Sequence, residues 1–386
     1  MNTFDAKKRG AALLLSAMSM VACGGESIDQ GPTGTVEQAF TDLPNLHHIA
    51  LNAHPNNFSD PQLFETIRFG NNAIWNAYRV LPKPTNVLIT KVQERGVGFD
   101  THIMVTNQTS DQTVGKNVLF HGIRSQSGSF TGFNNATDAM GAPDVQWRDM
   151  ALCEVGTSAG VPGNQNDLHV VLAGGDGILR HTIRFTDTTD WQTLTPVSKS
   201  GSKPPTGVMR VACAGAPSAP GTDGDLHVLV IAQSNMTVKL SHSIRYGAGG
   251  WQTFQTPPLP PSTPSFSGLA ATIDSNSTLN VFLIDSNHRL LHIQRFAGGG
   301  WGAWTQAPGT TTYFDVSAAL LGSGTQNPGA TALLFSDQSG SPLFGVMPAN
   351  ANWNGFTTTP MRNLAQGVPA GQVFTGVSAT ATLDTN

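Results

Sequence analysis

Short runs of alternating apolar and polar residues follow one another from Asn45 to the end of the chain. The runs are rich in Val, Ile, Thr and Phe, and clusters of Gly, Asn, Ser and Pro separate them. A period of two is typical of half-buried β-strands, and no stretch sustains the apolar spacing of an amphipathic helix. The pattern therefore predicts an all-β protein built from many short strands.

The same pattern recurs six times along the chain. Its clearest marker is an aromatic residue followed three positions later by a second large apolar residue. This marker recurs at intervals of roughly 50–60 residues. The marker occurs at Trp75/Tyr78, Phe130/Phe133, Trp191/Leu194, Trp251/Phe254, Trp301/Trp304 and Trp353/Phe356. So many matches at one spacing indicate an internal repeat.

Two further positions of the repeat are polar. The first holds a histidine shortly before an arginine, in the pairs His121/Arg124, His181/Arg184, His242/Arg245 and His292/Arg295; the first copy has Glu65/Arg68 and the last has Phe344/Met347. The second lies earlier in each copy and holds His47, His102, His169, His227 and, in the fifth copy, Asn280. Eight of the eleven histidines therefore occupy two repeat positions.

The fourth copy shows how each repeat divides into strands. Its predicted strands are Val208–Ala214, Leu226–Ala232, Lys239–Tyr246 and Trp251–Gln255. Four antiparallel strands per copy, repeated six times, predict a six-bladed β-propeller. Seven blades are a less favoured alternative, as are a sandwich and a solenoid.

The two ends of the repeat region predict how the ring closes. The first copy begins at its second strand, Leu46–Asn52, and lacks an inner strand of its own. The terminal segment Phe374–Thr380 mirrors the inner strand Phe266–Thr272 of the fifth copy. We expect the terminal segment to complete the first blade, which would remove two exposed sheet edges.

The N-terminal segment predicts export and lipid anchoring. Lys7, Lys8 and Arg9 precede an apolar stretch, residues 11–22, that is too short to span a bilayer. The stretch ends at Cys23 in a sequence that resembles a bacterial lipobox. We expect a lipoprotein signal peptide over 1–23 with lipidated Cys23, a flexible tether over 24–42 and the propeller over 43–386. An ordinary secretory signal is the alternative.

The residue after the lipidated cysteine bears on the destination. It is Gly24 rather than Asp, which by analogy with enteric bacteria favours the outer membrane, so we expect a lipid-anchored protein of the bacterial cell envelope. The net charge of −4, with no basic run, argues against nucleic acid as a partner.

The remaining cysteines, Cys153 and Cys213, occupy nearly equivalent points of consecutive repeats. Export would permit a disulfide, but matching positions in adjacent radial sheets are usually too far apart for one. We therefore expect two buried free thiols. No Cys/His spacing typical of a metal site is present, and we expect neither metal nor cofactor.

The repeated side chains admit a structural and a functional interpretation. An aromatic residue once per blade can fill the space between neighbouring sheets, or it can stack on the apolar face of a sugar. One His and one Arg per blade can be a hydrogen-bonding element of the fold, or they can donate to hydroxyl groups in several similar pockets. Four equivalent histidines cannot all be general bases of one active site.

Some segments of the chain resemble the repeats of lectin-type propellers, the PLL-like bacterial lectins and the related fungal fruit-body lectins. The resemblance is carried by Leu279–His292 followed by Gly299–Trp304, and by Leu226–Val228 and Leu240–His242 followed by Gly250-Trp251. It implies shallow pockets between blades that bind fucose, O-methylated sugars or amino sugars without metal and without catalysis. The resulting sugar-binding candidates are Trp301, Trp304, His292, Arg295, Trp251, His242, Arg245, Trp191, His181 and Arg184.

Two alternatives to a surface lectin stay open at this point. A protein-binding surface scaffold needs no signature residue, because the loops and the axial mouth of a propeller can serve as its face. A propeller hydrolase of the sialidase kind needs converging arginines and a tyrosine nucleophile, whereas the arginines recur once per blade. The paired tryptophans of the lectin motif also survive at Trp301/Trp304 alone.

Overall fold

The computed structural model describes residues 46–54, 57–68, 75–84, 87–107, 117–125, 127–156, 166–197, 204–216, 224–234, 237–260, 265–274, 276–321, 329–349, 353–366 and 374–381. The predicted signal peptide, Cys23 and the predicted tether lie outside the described residues. Within the described part, no helix has both the length and the apolar character needed to cross a membrane.

The strands form six antiparallel sheets, which are the blades of a ring. Blades 1 to 3 comprise β1 (Leu46–His54), β2 (Asn57–Arg68), β3 (Arg79–Leu81), β4 (Ile89–Val97), β5 (Asp100–Asn107), β6 (Leu119–Arg124), β7 (Asn134–Asn135), β8 (Trp147–Val155), β9 (Asp167–Gly174), β10 (Leu179–Arg184) and β11 (Thr195–Pro196). Blades 4 to 6 comprise β12 (Val208–Gly215), β13 (Leu226–Ser234), β14 (Thr237–Arg245), β15 (Phe266–Ile273), β16 (Leu279–Asp285), β17 (Leu290–Arg295), β18 (Thr305–Gln306), β19 (Tyr313–Leu320), β20 (Thr331–Asp337), β21 (Pro342–Met347), β22 (Thr358–Pro360) and a 3-10 turn, Met361–Asn363, and the chain ends in β23 (Phe374–Ala381).

The predicted six-bladed β-propeller is confirmed, and so is its closure. β23 pairs with β1 and becomes the inner strand of blade 1, in the order β23-β1-β2-β3. The other blades run from inner to outer strand in chain order. In blade 4 the outer strand is reduced to two isolated bridges, Arg245 to Trp251 and His242 to Gln255. The sequence therefore predicts this blade's three inner strands well and overstates its fourth.

The core of the protein lies between the blades. The second strand of each blade is covered on both faces, which is why β16 reads as the nearly continuous apolar run Leu-Asn-Val-Phe-Leu-Ile-Asp. Among the described residues, six apolar clusters form, and each one joins two neighbouring blades. Burial of apolar surface thus acts at each blade interface, and the residues that the structure describes form no single central core.

Side chains of one inner strand bind the unpaired edge of the next. Oγ of Ser378 accepts a hydrogen bond from the Glu94 amide at 2.8 Å, and Oγ of Ser317 accepts one from the Ala379 amide at 2.9 Å. The Val211 amide likewise donates to Oδ2 of Asp149 at 2.9 Å. These bonds satisfy edge amides that have no strand partner on that side, as a buried backbone requires.

Cys153 and Cys213 form a disulfide, with their Cα atoms 5.9 Å apart, so the prediction of free thiols is wrong. Their strands, β8 and β12, are the inner strands of blades 3 and 4, which lie beside each other near the axis. Counted from the β-bulge in each strand, Cys213 matches Leu152 and Cys153 matches Ala214. Because successive side chains alternate in direction, this offset of one residue turns the two cysteines toward each other.

Candidate functional site

Three neighbouring blade interfaces carry the same set of four side chains. We call each set a histidine cluster: two histidines come from the second and third strands of one blade, and an arginine and a tryptophan come from the next blade. The blade 2–3 cluster is His102, His121, Arg184 and Trp191; the 3–4 cluster is His169, His181, Arg245 and Trp251; the 4–5 cluster is His227, His242, Arg295 and Trp301.

The 4–5 cluster shows the geometry. Nδ1 of His227 and Nε2 of His242 share a hydrogen bond of 3.1 Å, and the two rings stack with centroids 5.2 Å apart. The indole of Trp301 then meets the His242 ring edge-on, at 5.4 Å and an interplanar angle of 88°. Both histidines are buried, whereas Trp301 and Arg295 are half-buried. The histidines therefore form the floor of the cluster, and the tryptophan and arginine form its outer part.

The other two clusters repeat this arrangement closely. The imidazole hydrogen bond is 3.0 Å long in both, between His102 and His121 and between His169 and His181. Trp191 meets His121 at 5.3 Å, and Trp251 meets His181 at 5.4 Å, both edge-on. Three near-identical copies show that this arrangement is a property of the repeat.

Strand pairing places the arginine and the tryptophan side by side. In each of these blades the arginine ends the third strand and pairs by an isolated bridge with the tryptophan that begins the fourth segment: Arg184 with Trp191, Arg245 with Trp251 and Arg295 with Trp301. Directly opposite residues of an antiparallel pair project to the same face. The short turn between the strands therefore delivers both side chains to the preceding blade.

The imidazole pairs are neutral at physiological pH. Burial, together with the electrostatic effects of His227 and Arg295, lowers the pKa of His242 from 6.5 to about 2. Burial also lowers the pKa of His227 to about 4, and of both His102 and His181 to about 3. A neutral pair can share one proton as donor and acceptor, which satisfies both facing nitrogens in the closed interface.

The blade 5–6 interface keeps part of the set. Nε2 of His292 donates to Oδ1 of Asn280 at 3.0 Å, and the His292 ring meets Trp353 edge-on at 5.9 Å. The arginine position of blade 6 holds Met347, which is buried. This interface therefore has an aromatic ring and an imidazole but lacks the guanidinium.

The blade 6–1 interface has lost both histidines. Arg68 lies over the ring of Phe344 at 5.6 Å, and Trp75 meets the same ring edge-on at 5.3 Å. Trp75 is buried within the apolar cluster that joins these blades. Packing is the role of the repeated positions here.

The blade 1–2 interface replaces the imidazole pair with an ion-paired carboxylate. Glu65 stands where the third-strand histidine stands elsewhere, and its side chain is fully buried. Its Oε1 accepts from Nε of Arg124 at 2.5 Å, and its Oε2 accepts from Nε of Arg79 at 2.6 Å. His47 lies 4.0 Å from the same carboxylate. The arginine of this interface is therefore bound within the protein.

The structure brings most of the predicted site residues together, in combinations that cross from blade to blade. Arg295 and Trp301 join His242; Arg245 and Trp251 join His181; Arg184 and Trp191 join His121, which was not among the candidates. The remaining candidates, His292 and Trp304, lie elsewhere. His292 belongs to the 5–6 interface, and Trp304 donates from Nε1 to the Pro258 carbonyl at 2.7 Å.

The second-strand histidines are the functional candidates that the sequence alone did not select. His102, His169 and His227 were visible as a repeat position, but nothing in their spacing shows that they bond to the third-strand histidines. Asp100 is a further addition, because its charge raises the pKa of Arg184 against the effect of burial. Each repeat position was therefore detectable, and only its pairing was not.

The chemistry of a histidine cluster favours recognition of a hydroxylated ligand. An indole offers an apolar face, a guanidinium offers several donors, and a neutral imidazole offers one donor or one acceptor. In the described part of the chain, no group of three or more His, Cys, Asp or Glu residues is placed to hold a metal ion.

The fold is shared with several solved structures, two of which are lectins. The structure of AofleA from Arthrobotrys oligospora matches with a TM-score of 0.54 at 11% identity, covering 90% of this chain and 93% of that one. The fucose-specific lectin from Aleuria aurantia matches with a TM-score of 0.51 at 14% identity, covering 80% and 89%. BP39L lectin from Burkholderia pseudomallei matches with a TM-score of 0.50 at 15% identity, covering 83% and 97%.

These likenesses confirm the resemblance to lectin-type propellers at the level of the fold. No protein-family model matches the chain, and no curated protein matches its sequence. At such low identity, the shared architecture is what the structures have in common, and the side chains of each interface have to be judged on their own chemistry.

Proposed function

We propose that this protein is a carbohydrate-binding, non-catalytic β-propeller lipoprotein of a bacterial cell surface. The observation that carries the proposal is the histidine cluster, repeated at three consecutive blade interfaces. In each cluster, a half-buried indole, a guanidinium and neutral imidazoles come together. Solved propellers of the same fold include a fucose-specific lectin, which makes a neutral sugar the first ligand to test.

The side chains of the cluster match the two kinds of surface that a sugar ring presents. The ring's C–H face is apolar and can stack on an indole, while its hydroxyl and ring oxygens can accept from a guanidinium. Arg295 is suited to this role, because its guanidinium makes no hydrogen bond within the described residues and is half-buried beside Trp301. Neutral imidazoles below it add a polar floor without adding charge.

A glycan array followed by titration calorimetry tests the proposal. We expect stoichiometric binding of a monosaccharide that persists in the presence of a calcium chelator, with one site per histidine cluster. α-Methyl-L-fucoside is a suitable first probe, since a variant of the Aleuria aurantia lectin was crystallised with it. Absence of binding to every glycan on the array would favour the protein-binding scaffold instead.

A matched pair of arginine variants tells sugar binding from general destabilisation. Arg295→Gln removes the guanidinium of the 4–5 cluster and should lower the number of sites by one. Arg68→Gln makes the same change at the 6–1 interface, where Phe344 replaces the histidine, and should leave the number unchanged. Circular dichroism and thermal unfolding of both variants check that the fold is retained.

Surface anchoring through Cys23 rests on the sequence and has its own test. Substitution Cys23→Ser should abolish incorporation of a labelled fatty acid and move the protein from the membrane fraction to the soluble fraction. The hydrolase alternative predicts turnover of a glycoside panel, whereas we expect no turnover by a protein that binds the same sugars.

A further inference from the structure

The blade 1–2 interface has the backbone of a histidine cluster but a different occupant. Its arginine, Arg124, ends the third strand of blade 2 and pairs with Phe130, as Arg295 pairs with Trp301 in blade 5. The interface differs in that Glu65 takes the place of the histidine. Since the backbone arrangement is the same, the difference between this interface and a histidine cluster comes from the Glu65 side chain.

The Glu65 carboxylate and a backbone carbonyl each occupy one donor nitrogen of Arg124. Nε of Arg124 donates to Oε1 of Glu65 at 2.5 Å, and Nη1 donates to the Gly128 carbonyl. Arg184 and Arg295, at the same position in two histidine clusters, make no hydrogen bond within the described residues. A hydrogen bond between a guanidinium and a carboxylate is stronger than one between neutral groups. A neutral sugar hydroxyl is therefore not expected to displace the carboxylate.

The aromatic residue of this interface is held by its own blade. A Cβ atom at Gly122 would lie 2.7 Å from Cζ of Phe130, so the ring rests on the backbone of that glycine. In blade 3 the same position is Thr182, whose hydroxyl donates to the Gln192 carbonyl of the outer segment at 2.5 Å. Phe130 therefore packs over Gly122, a contact that a threonine or serine at this position would exclude.

We propose that Glu65 is a built-in occupant of the blade 1–2 interface, so that the protein has three ligand sites and a fourth that its own carboxylate fills. The inference rests on the proposed carbohydrate binding. It assigns Glu65 a specificity role, in which its oxygens accept from Arg124 as a ligand's oxygens would at the histidine clusters.

One neighbouring acid affects the design of the test. Glu94 is buried beside this interface, its Oε1 accepts from the Ile49 amide at 3.1 Å, and its Oε2 has no hydrogen-bond partner. Burial and the charge of Glu65 raise its pKa. If Glu65 is removed, Glu94 can ionise and pair with Arg124, so the variant needs a second substitution, Glu94→Gln.

The experiment counts sites by calorimetry and native mass spectrometry with α-methyl-L-fucoside. We expect three sites in the unmodified protein and four in Glu65→His/Glu94→Gln, which rebuilds the histidine pair with His47. Glu154→Gln is the control, because it neutralises another buried carboxylate, at the blade 2–3 interface beside Arg95, and should leave three sites. An unchanged count in a folded double variant would overturn the proposal.

A second pair of variants does not depend on the folding of that double variant. Arg124→Lys keeps the charge that pairs with Glu65, and we expect it to retain all three sites, whereas Arg295→Lys should lose one. Loss of a site in Arg124→Lys would show that the blade 1–2 interface binds ligand already and would refute the role of Glu65. If the unmodified protein binds no sugar at all, the proposed function fails first, and the inference falls with it.

Discussion

The blade 4–5 and blade 1–2 interfaces use equivalent backbone positions for opposite purposes. At the first, His227 and His242 form a neutral hydrogen-bonded pair, and the Arg295 guanidinium makes no hydrogen bond among the described residues. At the second, Glu65 binds two arginines through its two oxygens. A single change, from imidazole to carboxylate, converts a guanidinium that can meet a ligand into one that holds the protein together.

In a repeated fold of this kind, stability and recognition can depend on different side chains. All six interfaces bury apolar clusters, so each interface has a source of stability besides its polar side chains. The residues at the histidine and arginine positions can then vary from copy to copy. Met347 replaces the arginine in blade 6, and Phe344 and Glu65 replace the third-strand histidine in blades 6 and 1. Under the proposed function, variation of this kind permits some interfaces to bind a ligand and others only to pack.

Removing the carboxylate should give the largest effect on stability. Glu65→Ala leaves Arg124 buried without its counter-charge, and breaking a buried ion pair from one side costs about 3–5 kcal/mol of unfolding free energy. Urea denaturation of the variant and the parent measures the change. Arg79→Ala is the control, because that side chain is 48% exposed and a surface partner contributes less than about 1 kcal/mol. Equal losses in the two variants would contradict a buried pair.

The disulfide should contribute the next largest effect. It joins blades 3 and 4, the same two blades that carry the 3–4 histidine cluster, and it spans 60 residues of sequence. Cys153→Ala/Cys213→Ala is expected to lose about 3 kcal/mol, since the cross-link limits the freedom of the unfolded chain. Mass spectrometry with and without reductant checks that the bond forms. If the double variant still has three ligand sites, the disulfide contributes to stability and not to ligand binding.

Acidification should weaken the interfaces that hold buried neutral histidines, which include the blade 1–2 interface through His47. The pKa of His227 falls from 6.5 to about 4 on folding, so the unfolded chain binds more protons between these values. Its contribution to stability is complete above pH 6.5 and is lost as the pH falls toward 4, by roughly 2 kcal/mol per histidine by pH 5. His227→Asn, which copies Asn280, should reduce this loss in thermal unfolding curves.

Glu94 provides the opposite sign for comparison. Burial raises its pKa on folding, so the folded protein holds the proton more tightly. Its contribution to stability is present below pH 4.5 and is lost as the pH rises through the raised pKa. Glu94→Gln should therefore stabilise the protein at neutral pH relative to acidic pH, whereas a destabilisation that grows with pH would contradict the assignment.

Most of the fold was predictable from the sequence, because each repeat shows the alternating pattern of its strands and the Gly, Asn, Ser and Pro clusters of its turns. The closing strand Phe374–Ala381 could be predicted because it matches the inner strand of another copy in length and pattern. The disulfide could not, because it depends on an offset of one residue between two bulged strands, which no spacing reveals. Small differences in register decide which side chains face each other near the axis.

The site was predictable in its parts and not in its assembly. The histidines, arginines and tryptophans were all visible as repeat positions, but Arg295 and Trp301 meet the histidines of blade 4, not those of their own repeat. Which neighbour a side chain meets depends on the twist of the ring, and sequence order says nothing about it. Only the arrangement of the blades shows that Glu65 faces Arg124, 59 residues later.

The smallest effect is expected at Trp304, the second tryptophan of the motif. Its indole donates to the Pro258 carbonyl at 2.7 Å and packs on the apolar cluster of blades 4 and 5. Trp304→Phe keeps an aromatic ring there and removes this hydrogen bond, so we expect a loss of about 1 kcal/mol and an unchanged number of sugar sites. Trp301→Ala, in the histidine cluster, should remove one site. If the phenylalanine variant also loses a site in calorimetry, the ligand contacts the tryptophan pair directly, and the boundary of the 4–5 site must be extended to Trp304.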